Sequence, residues 1–515
     1  MKKPDENINN IYMFKNPIRF FIDISKFEGL ITENDYSLQI QETLSWTCPI
    51  DFKIRKKYGE DFVRFIRLPN ILNFYYLNNK MKLISGYPKL SIHDNSRMKL
   101  SLKTGDFYST SYKNSLSDDL VNLIRYDELI RLDIKSFYDT IYVHTLNNEL
   151  KLPFLETYIS NQNNGNTSGI LKGPYTSLFL AEHFLRNIVE KIKTALKEYD
   201  FKLNFFSDDI YIFSNYKDYS KIKQVISDIL QDHGLSINLD KVETHTYKDY
   251  SAKNIIDKYW NSVIRDQINY EKNAEPNKIY LNFINQLVYR MEKLDDNKLE
   301  SIFIKGFFKS RFFIDLKTEK YIMTEDDLHK ILYIYKEHPE TILYSFNKFM
   351  KFDLFIQNAY KYLDIMFDKS LEKDFHEEQI YYGYALYNLK GKNAFKQIHM
   401  EKIIKSSNQI LISYFVELGL IDNKLQELLQ EEEKNWFLNY HIIHRMYLVN
   451  NIELDKFIKK YLIPKKAKKK QVDNYFKFYK QGLERKFVMI NLSVDESIAN
   501  YLILKKKSHE ENLHL

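Results

Sequence analysis

Residues 204–215 read NFFSDDIYIFSN, and the interpretation of the first half of the chain depends on this stretch. Two adjacent acids, Asp208 and Asp209, interrupt an apolar run that otherwise favours a β-strand. A carboxylate buried without a partner is costly or loses its charge. Two interpretations are therefore open. Ser207, Asp208 and Asp209 could form an ordinary hairpin turn, since Asp and Ser favour turns, or the acids could bind a metal ion at the hairpin tip.

A third acid ends a predicted strand upstream of this hairpin. Residues 129–142 read LIRLDIKSFYDTIY, and the apolar run that opens them places Asp133 at the end of a strand. Two acids from separate strands that meet at one sheet edge can hold two divalent ions for phosphoryl transfer. Carboxylate oxygens favour Mg²⁺ or Mn²⁺. Because adjacent strand residues point to opposite faces, Asp133 and Asp208 are the predicted main ligands, with Asp209 farther out.

The surrounding segments give the order of the predicted elements. Residues 169–185 form a glycine-rich turn that enters an amphipathic helix, and another helix follows the hairpin at about 219–232. Residues 234–244, GLSINLDKVET, predict a strand whose polar edge carries Asn238 and Lys241. The predicted order is strand, turn and helix, acidic hairpin, helix, and a strand that carries a lysine.

This ordered set resembles the palm of reverse transcriptases. FSDD (206–209) resembles the aromatic-x-Asp-Asp motif of that family. DIKSFYD (133–139) resembles its first palm motif, and GLSINLDK (234–241) resembles its later motif with Asn and Lys. The resemblance covers roughly residues 60–250. It implies a fingers-and-palm domain that joins nucleotides with two divalent ions.

The loop GILKGPYTS (169–177) departs from the family pattern. Leu171-Lys172 stands where Pro-Gln is usual, and Pro174-Tyr175 stands in place of the usual residues after the glycine. That loop normally supports the templating base, so we expect Tyr175 to obstruct a template strand. With the short palm and the large helical second half, the departure is similar to the bacterial abortive-infection (Abi) reverse transcriptases of the AbiK-like kind. These anti-phage proteins carry a HEAT-like helical domain in place of the thumb.

The resemblance also implies roles for single residues. Tyr138, five residues after Asp133, stands where the family places the aromatic gate that excludes a ribose 2′-OH, with plain core packing as the alternative. Lys241 would reach the triphosphate or protonate the leaving pyrophosphate, unless it is a plain surface lysine. The backbone carbonyl of Ile134 would be a metal ligand, and Gly173 would contact the nucleotide.

The triphosphate also requires cations from the fingers. Arg97 and Lys99, in SRMKLSLK (96–103), alternate with apolar residues as in a half-exposed strand of a fingers hairpin, although a solvated strand face gives the same pattern. Further candidates are Arg64, Arg67 and Lys103.

Family members can start DNA synthesis on a protein tyrosine hydroxyl. Among the 40 tyrosines of this chain, Tyr12 and Tyr36 are N-terminal candidates. The sequence does not identify the priming residue.

Glycine and proline are concentrated in the first half, which holds eight of the 13 Gly up to Gly234 and seven of the 10 Pro up to Pro174. The second half carries apolar residues at helical spacing, which favours helices joined by short loops. Two such stripes are Ile342, Phe346, Phe349 and Met350, and Leu411, Phe415 and Leu418. We therefore predict an α+β fingers-and-palm domain over residues 1–255 and an α-helical, HEAT-like repeat domain over residues 256–515.

Composition limits the remaining classes of protein. The single cysteine, Cys48, excludes an intramolecular disulfide and a cysteine-cluster zinc site, and it fits a reducing cytoplasm, which the resemblance implies is bacterial. The start, MKKPDENINN, has no apolar segment, and no apolar run in the chain is long enough to span a membrane. The net charge of +7 permits a polyanionic partner. The basic segment KKYLIPKKAKKK (459–470) fits either a solvated loop or a nucleic-acid contact.

The sequence thus predicts a polymerase of deoxynucleoside triphosphates that works without a conventional template in phage defence. Its expected partners are these nucleotides, a single-stranded DNA product that protein priming would leave attached, a phage trigger, and further copies of the chain in a homo-oligomer. One alternative is a templated reverse transcriptase with a dedicated RNA. Another is an idle palm that serves as a scaffold beside a partner-binding helical domain. The presence of all three acids argues against the idle palm.

Overall fold

The computed structural model describes residues 12–13, 17–31, 44–55, 63–88, 95–97, 100–101, 106–107, 109–251, 266, 279–293 and 297–511. The strands are β1 (Ile50–Arg55), β2 (Val63–Leu68), β3 (Leu100–Ser101), β4 (Asp106–Phe107), β5 (Glu128–Asp133), β6 (Phe201–Phe206), β7 (Asp209–Ser214), β8 (Glu243–His245), β9 (Ile279–Tyr280) and β10 (Tyr321–Ile322).

The helices of the first half are α1 (Ile71–Met81), α2 (Ser109–Arg125), α3 (Phe137–Thr140), α4 (Val143–Leu150), α5 (Leu155–Gln162), α6 (Tyr175–Ala195) and α7 (Tyr219–Asp232). Those of the second half are α8 (Asn282–Lys293), α9 (Asn297–Phe308), α10 (Arg311–Ile314), α11 (Glu325–Glu337), α12 (Thr341–Phe349), α13 (Asp353–Glu372), α14 (His376–Lys390), α15 (Gln397–Lys405), α16 (Gln409–Glu417), α17 (Leu425–Leu428), α18 (Trp436–Asn450), α19 (Leu454–Tyr461), α20 (Lys469–Glu484) and α21 (Val494–Glu511).

A four-stranded antiparallel sheet in the order β6-β7-β5-β8 positions the acidic residues. Alternate residues of β5 serve its two faces. Ile130 and Leu132 are fully buried in the core that also holds Ile188 of α6 and Ile222 of α7. On the other face, Leu129 packs in a second cluster formed with residues of α2. The sheet is therefore covered by helices on both faces, and its acids lie at the strand ends.

The predicted order of elements is confirmed with one exception. β5 ends at Asp133, and the helix predicted at about 219–232 is α7. The exception is the strand predicted to carry Lys241. This residue lies in a 3-10 turn, Leu239–Lys241, because its N–H donates to the Asn238 carbonyl at 3.1 Å and closes the turn. The strand β8 begins only after this turn.

The second half is mostly helical, as its apolar spacing predicts. Neighbouring helices pack in pairs, such as α13 with α14 and α16 with α18. The two apolar stripes lie on α12 and α16, with Met350 and Leu418 as the residues that follow each helix. No helix in the described ranges is long and apolar enough to cross a lipid bilayer.

The two halves share one continuous hydrophobic core. Phe27, near the N-terminus, stacks edge-on against Tyr440 of α18, and the Asp23 N–H donates to the Met489 carbonyl at 2.8 Å. Farther along the chain, Arg55 of β1 pairs with Glu378 of α14 at 2.7 Å. The predicted boundary at 255 falls outside the described residues.

Candidate active site

The acidic hairpin turns at Ser207 and Asp208, between β6 and β7. Ser207 has a φ of 54°, the left-handed conformation that tight hairpin turns require and that most residues avoid. The N–H of Ile134 donates to the Asp208 carbonyl at 2.8 Å. This bond fastens the hairpin tip to the chain directly after β5, so Asp208 and Asp133 lie at the same edge of the sheet.

Asp133 is 8% exposed, and its carboxylate is paired with a positively charged side chain. The Lys241 ammonium lies 2.9 and 2.8 Å from its two oxygens, and the Asn238 amide donates to one of them at 3.1 Å. The 3-10 turn therefore delivers both polar residues of the last motif to Asp133. In this structure Lys241 compensates the charge of Asp133, and its predicted contact with a triphosphate stays a prediction.

Asp209 lies directly opposite Asp133 in the β5–β7 register, and both belong to the same face of the sheet. Its carboxylate accepts two hydrogen bonds from Arg131, at 3.1 and 2.8 Å. Burial acts to lower the pKa of Arg131, but its bond to Asp209 outweighs this and the pKa is raised above its ordinary value. Asp209 is thus anchored by Arg131, whereas no cation pairs with Asp208 within the described residues.

The three acids do not form a ready-made metal cage. Among the described residues, no three acidic, histidine or cysteine side chains are grouped as a metal site. The available donors nevertheless fit a hard cation, because they are carboxylate oxygens and the ammonium on Asp133 shows that this position already holds positive charge. The assignment of Asp133, Asp208, Asp209 and the Ile134 carbonyl as ligands stays a prediction.

Glu182 of α6 is a site residue that the sequence did not indicate. It is 6% exposed, and its Oε1 accepts the N–H of Ser207 at 2.5 Å. Burial raises the pKa of Glu182 to about 7, although the Ser207 N–H acts in the opposite direction. Glu182 therefore supports the strained turn residue that precedes Asp208. The available signal was the one that singled out Asp208, an acid within an apolar run, here LFLAEHFL (178–185).

The predicted gate residue lies next to this turn. Tyr138 of α3 is half-buried, and its hydroxyl oxygen is 3.5 Å from the Ser207 hydroxyl oxygen. Burial raises the pKa of Tyr138 above its ordinary value. The neighbouring Phe137 is buried in the core, so the two aromatic side chains lie in different environments. The geometry keeps Tyr138 available as a gate.

The glycine-rich loop packs against β2. Gly173 has a φ of 126°, and a Cβ there would lie 2.4 Å from the Cγ2 of Ile66, so the turn requires glycine. The backbone carbonyl of Lys172 accepts a hydrogen bond from the Arg67 N–H at 2.7 Å. The side-chain ammonium of Lys172 pairs with Asp139 at 2.5 Å. Tyr175 is fully buried and its hydroxyl donates to the Pro88 carbonyl. The expectation that Tyr175 obstructs a template strand was therefore wrong, because its ring belongs to the core.

The predicted fingers cations are placed in different ways. Arg97 pairs with Asp119 of α2 and covers the Tyr211 ring at 3.8 Å, so its guanidinium fixes α2 to the sheet in this structure. Arg67 pairs with Asp51 at 3.2 Å. Arg64 is exposed on β2, whereas Lys99 and Lys103 lie outside the described residues.

The two candidate priming tyrosines are not equally placed. Tyr12 is buried and its hydroxyl donates to the Pro69 carbonyl at 2.8 Å, an arrangement that does not offer the hydroxyl to a nucleotide. Tyr36 lies outside the described residues.

Comparison with known proteins finds a family that is similar to the part of the chain that holds this site. Residues 68–279 match the family described as reverse transcriptase (RNA-dependent DNA polymerase). No curated protein matches the chain.

Two solved structures of telomerase are similar at low identity. The telomerase of Candida albicans, in complex with a TWJ fragment of telomeric RNA, is 13% identical with a TM-score of 0.29, over 74% of this chain and 65% of that chain. The apo telomerase of Candida tropicalis is 15% identical with a TM-score of 0.28, over 77% of each chain. The chain thus spans less than two thirds of the first telomerase. The family match covers less than half of the chain, and it includes β5 and the acidic hairpin.

Proposed function

We propose that the chain is a DNA polymerase of the reverse transcriptase superfamily that joins deoxynucleoside triphosphates. The observation that carries the proposal is the β5–β7 register, which sets Asp133 opposite Asp209. The bond between the Ile134 N–H and the Asp208 carbonyl adds the third carboxylate at the same edge. The match of residues 68–279 to the reverse transcriptase family supports this chemistry.

Asp133, Asp208, Asp209 and the Ile134 carbonyl would hold the divalent ions. When bound, Mg²⁺ or Mn²⁺ supplies positive charge for the attacking and leaving oxygens of phosphoryl transfer. Arg131 fixes Asp209 through two hydrogen bonds and so keeps the hairpin in place. Lys241, whose side chain is half-exposed beside Asp133, is the cation placed to meet the triphosphate of an incoming nucleotide.

Synthesis without a template is supported by the glycine-rich loop. It lacks the usual glutamine, and Lys172 at that position pairs with Asp139 of α3. The net charge of +7 over 515 residues is also small for an enzyme that grips a long duplex through its phosphates. Protein priming, phage defence and a homo-oligomer rest on the resemblance to the abortive-infection enzymes.

Product composition should therefore follow nucleotide supply and not an added strand. The protein would be incubated with all four dNTPs, Mg²⁺ and oligonucleotides of defined sequence, and the products sequenced. We expect the same products with each oligonucleotide. Complementary copies of the added strands would favour the templated alternative. If the product remains attached after proteolysis, mass spectrometry of the residual peptide would identify the priming residue.

The defence role has a separate test in cells. A bacterial host that expresses the wild-type chain should show reduced phage plating, and a host that expresses Asp208→Asn should not. Equal plating on both hosts would remove the defence role and leave the polymerase proposal standing.

Replacing the gate residue should change sugar selection. Tyr138→Ala removes the ring beside Ser207, so ribonucleotides should compete with deoxynucleotides, with selectivity reduced by roughly ten-fold or more. Tyr138→Phe keeps the ring and is the matched control. The incorporation ratio of dNTP to rNTP measures the effect. An unchanged ratio in an active Tyr138→Ala variant would return Tyr138 to a packing role.

A further inference from the structure

Trp46 is an exposed aromatic residue that is held firmly in place. Its side chain is 44% exposed, yet the next residue, Thr47, is bonded on both sides. The Thr47 N–H donates to the Asn161 carbonyl at 2.9 Å, and the Asn164 N–H donates to the Thr47 carbonyl at 3.0 Å. The indole lies on Gly165, where a Cβ would come within 2.6 Å of the Trp46 Cδ2. The ring is therefore seated on backbone that only glycine allows.

The basic segment 459–470 places one of its lysines, Lys466, over this ring. It contains seven lysines and no acid. The Lys466 ammonium lies 5.0 Å from the centre of the Trp46 ring, in the loop between α19 and α20. All of these lysines are exposed, namely Lys459, Lys460, Lys465, Lys466, Lys468, Lys469 and Lys470.

Three acids that contact this segment or lie beside it in the chain, Glu431, Glu432 and Glu433, each have a partner. Glu431 pairs with Lys460 at 3.0 Å, and Glu432 pairs with Lys434 at 2.8 Å. The Oε1 of Glu433 accepts the N–H of Lys465 at 2.6 Å. The loop thus keeps an excess of positive charge beside an aromatic platform.

The platform is close to the polymerase site along the chain. The Ile170 N–H donates to the Tyr138 carbonyl at 2.8 Å, and Ile170 follows Gly165 by five residues. Five residues span at most about 18 Å, so the Trp46 ring lies within a short reach of the gate helix α3.

We propose that Trp46 and the lysine loop, Lys465, Lys466 and Lys468, bind single-stranded nucleic acid. A base stacks on the indole and the lysines pair with phosphates, the combination by which proteins hold single strands without reading sequence. The Lys466 side chain is exposed and flexible, so its ammonium can move off the ring face when a base stacks there and can then pair with a phosphate. The assignment of this strand as the DNA product rests on the proposed function.

The test measures binding to the full chain without nucleotides, by fluorescence anisotropy of labelled strands. Trp46→Leu keeps apolar packing on Gly165 and removes the stacking surface. It should weaken binding of a dT 20-mer by about five-fold or more and leave binding of an abasic 20-mer unchanged. Trp46→Phe should recover part of the loss. Thermal melting checks that each variant folds.

The charge arm uses Lys465→Gln, Lys466→Gln and Lys468→Gln together. This variant should bind both strands more weakly, and the slope of log affinity against log salt should fall by about 2. Lys217→Gln, Lys369→Gln and Lys392→Gln together make the same charge change at other exposed positions and should have little effect. A labelled rU 20-mer tells whether the surface accepts RNA as well as DNA.

Three results would overturn the proposal. The first is unchanged dT binding by Trp46→Leu. The second is equal weakening by the two lysine sets. The third is an acidic peptide that binds as tightly as the dT strand, which would make the surface a protein contact. Binding is measured without nucleotides, so it is independent of the incorporation assay. A chain that binds the strand but does not incorporate dNTPs contradicts only the proposed function. A chain that incorporates dNTPs but does not bind the strand contradicts only this surface.

Discussion

Replacing Asp133 with Asn should reduce deoxynucleotide incorporation by about 10²- to 10³-fold or more, because charged groups at the reacting centre contribute on that scale. Asn keeps the shape of the side chain but removes the negative charge that a cation requires. It also leaves the Lys241 ammonium without its partner. Since Lys241 is half-exposed, the lost ion pair costs about 1 kcal/mol or less, and the fold should survive.

The matched control is Asp240→Asn, which makes the same change one residue from Lys241. Asp240 is exposed in the 3-10 turn and should keep near wild-type incorporation. Rates are measured with labelled dNTP under saturating Mg²⁺, and melting curves confirm folding. Wild-type incorporation by Asp133→Asn would contradict the assignment of Asp133 as a ligand.

Glu182→Leu should lower incorporation by about 10- to 100-fold, the scale on which groups that support metal ligands act. Leucine removes the acceptor of the Ser207 N–H, and a buried donor without a partner costs about 1–3 kcal/mol. Ser207 holds a left-handed φ of 54° only while its surroundings fix it. Without Glu182 the turn that carries Asp208 should relax.

Glu182→Gln separates positioning from simple packing. The glutamine carbonyl can accept the same N–H, so this variant should recover most of the activity that Glu182→Leu loses. The half-saturating Mg²⁺ concentration is the second measurement, and it should rise in Glu182→Leu more than in Glu182→Gln. If both variants retain wild-type incorporation and Mg²⁺ dependence, Glu182 has no role in positioning the turn.

The sequence predicted the position of Asp133 at a strand end because a local apolar run ends there. It also predicted Asp208 as the partner of Asp133, with Asp209 farther out, whereas the register sets Asp209 opposite Asp133. The predicted turn contains Ser207, Asp208 and Asp209, whereas the observed turn contains only Ser207 and Asp208. This difference of one residue is enough to move a side chain to the other face of the sheet. Register depends on turn geometry, which the residue types alone do not determine.

The sequence motifs also could not predict which residues pair with the site residues. Arg131 and Asp209 are 78 residues apart, and Lys241 and Asp133 are 108 apart. Such contacts follow from how β5, β7 and the 3-10 turn assemble, not from local spacing. Tyr175 illustrates the same limit, because a loop pattern placed it near a template and the packing of α6 buried it in the core.

Polymerase activity is tested most directly by incorporation of labelled dNTPs by the purified wild-type chain with no nucleic acid added. We expect a labelled polymer with Mg²⁺ or Mn²⁺, and no polymer when a chelator is present or when Asp133 is replaced by Asn. Absence of any polymer, both without nucleic acid and with added oligonucleotides, would contradict the polymerase. Polymer formation that persists in the chelator would contradict the two-ion chemistry assigned to Asp133 and Asp208.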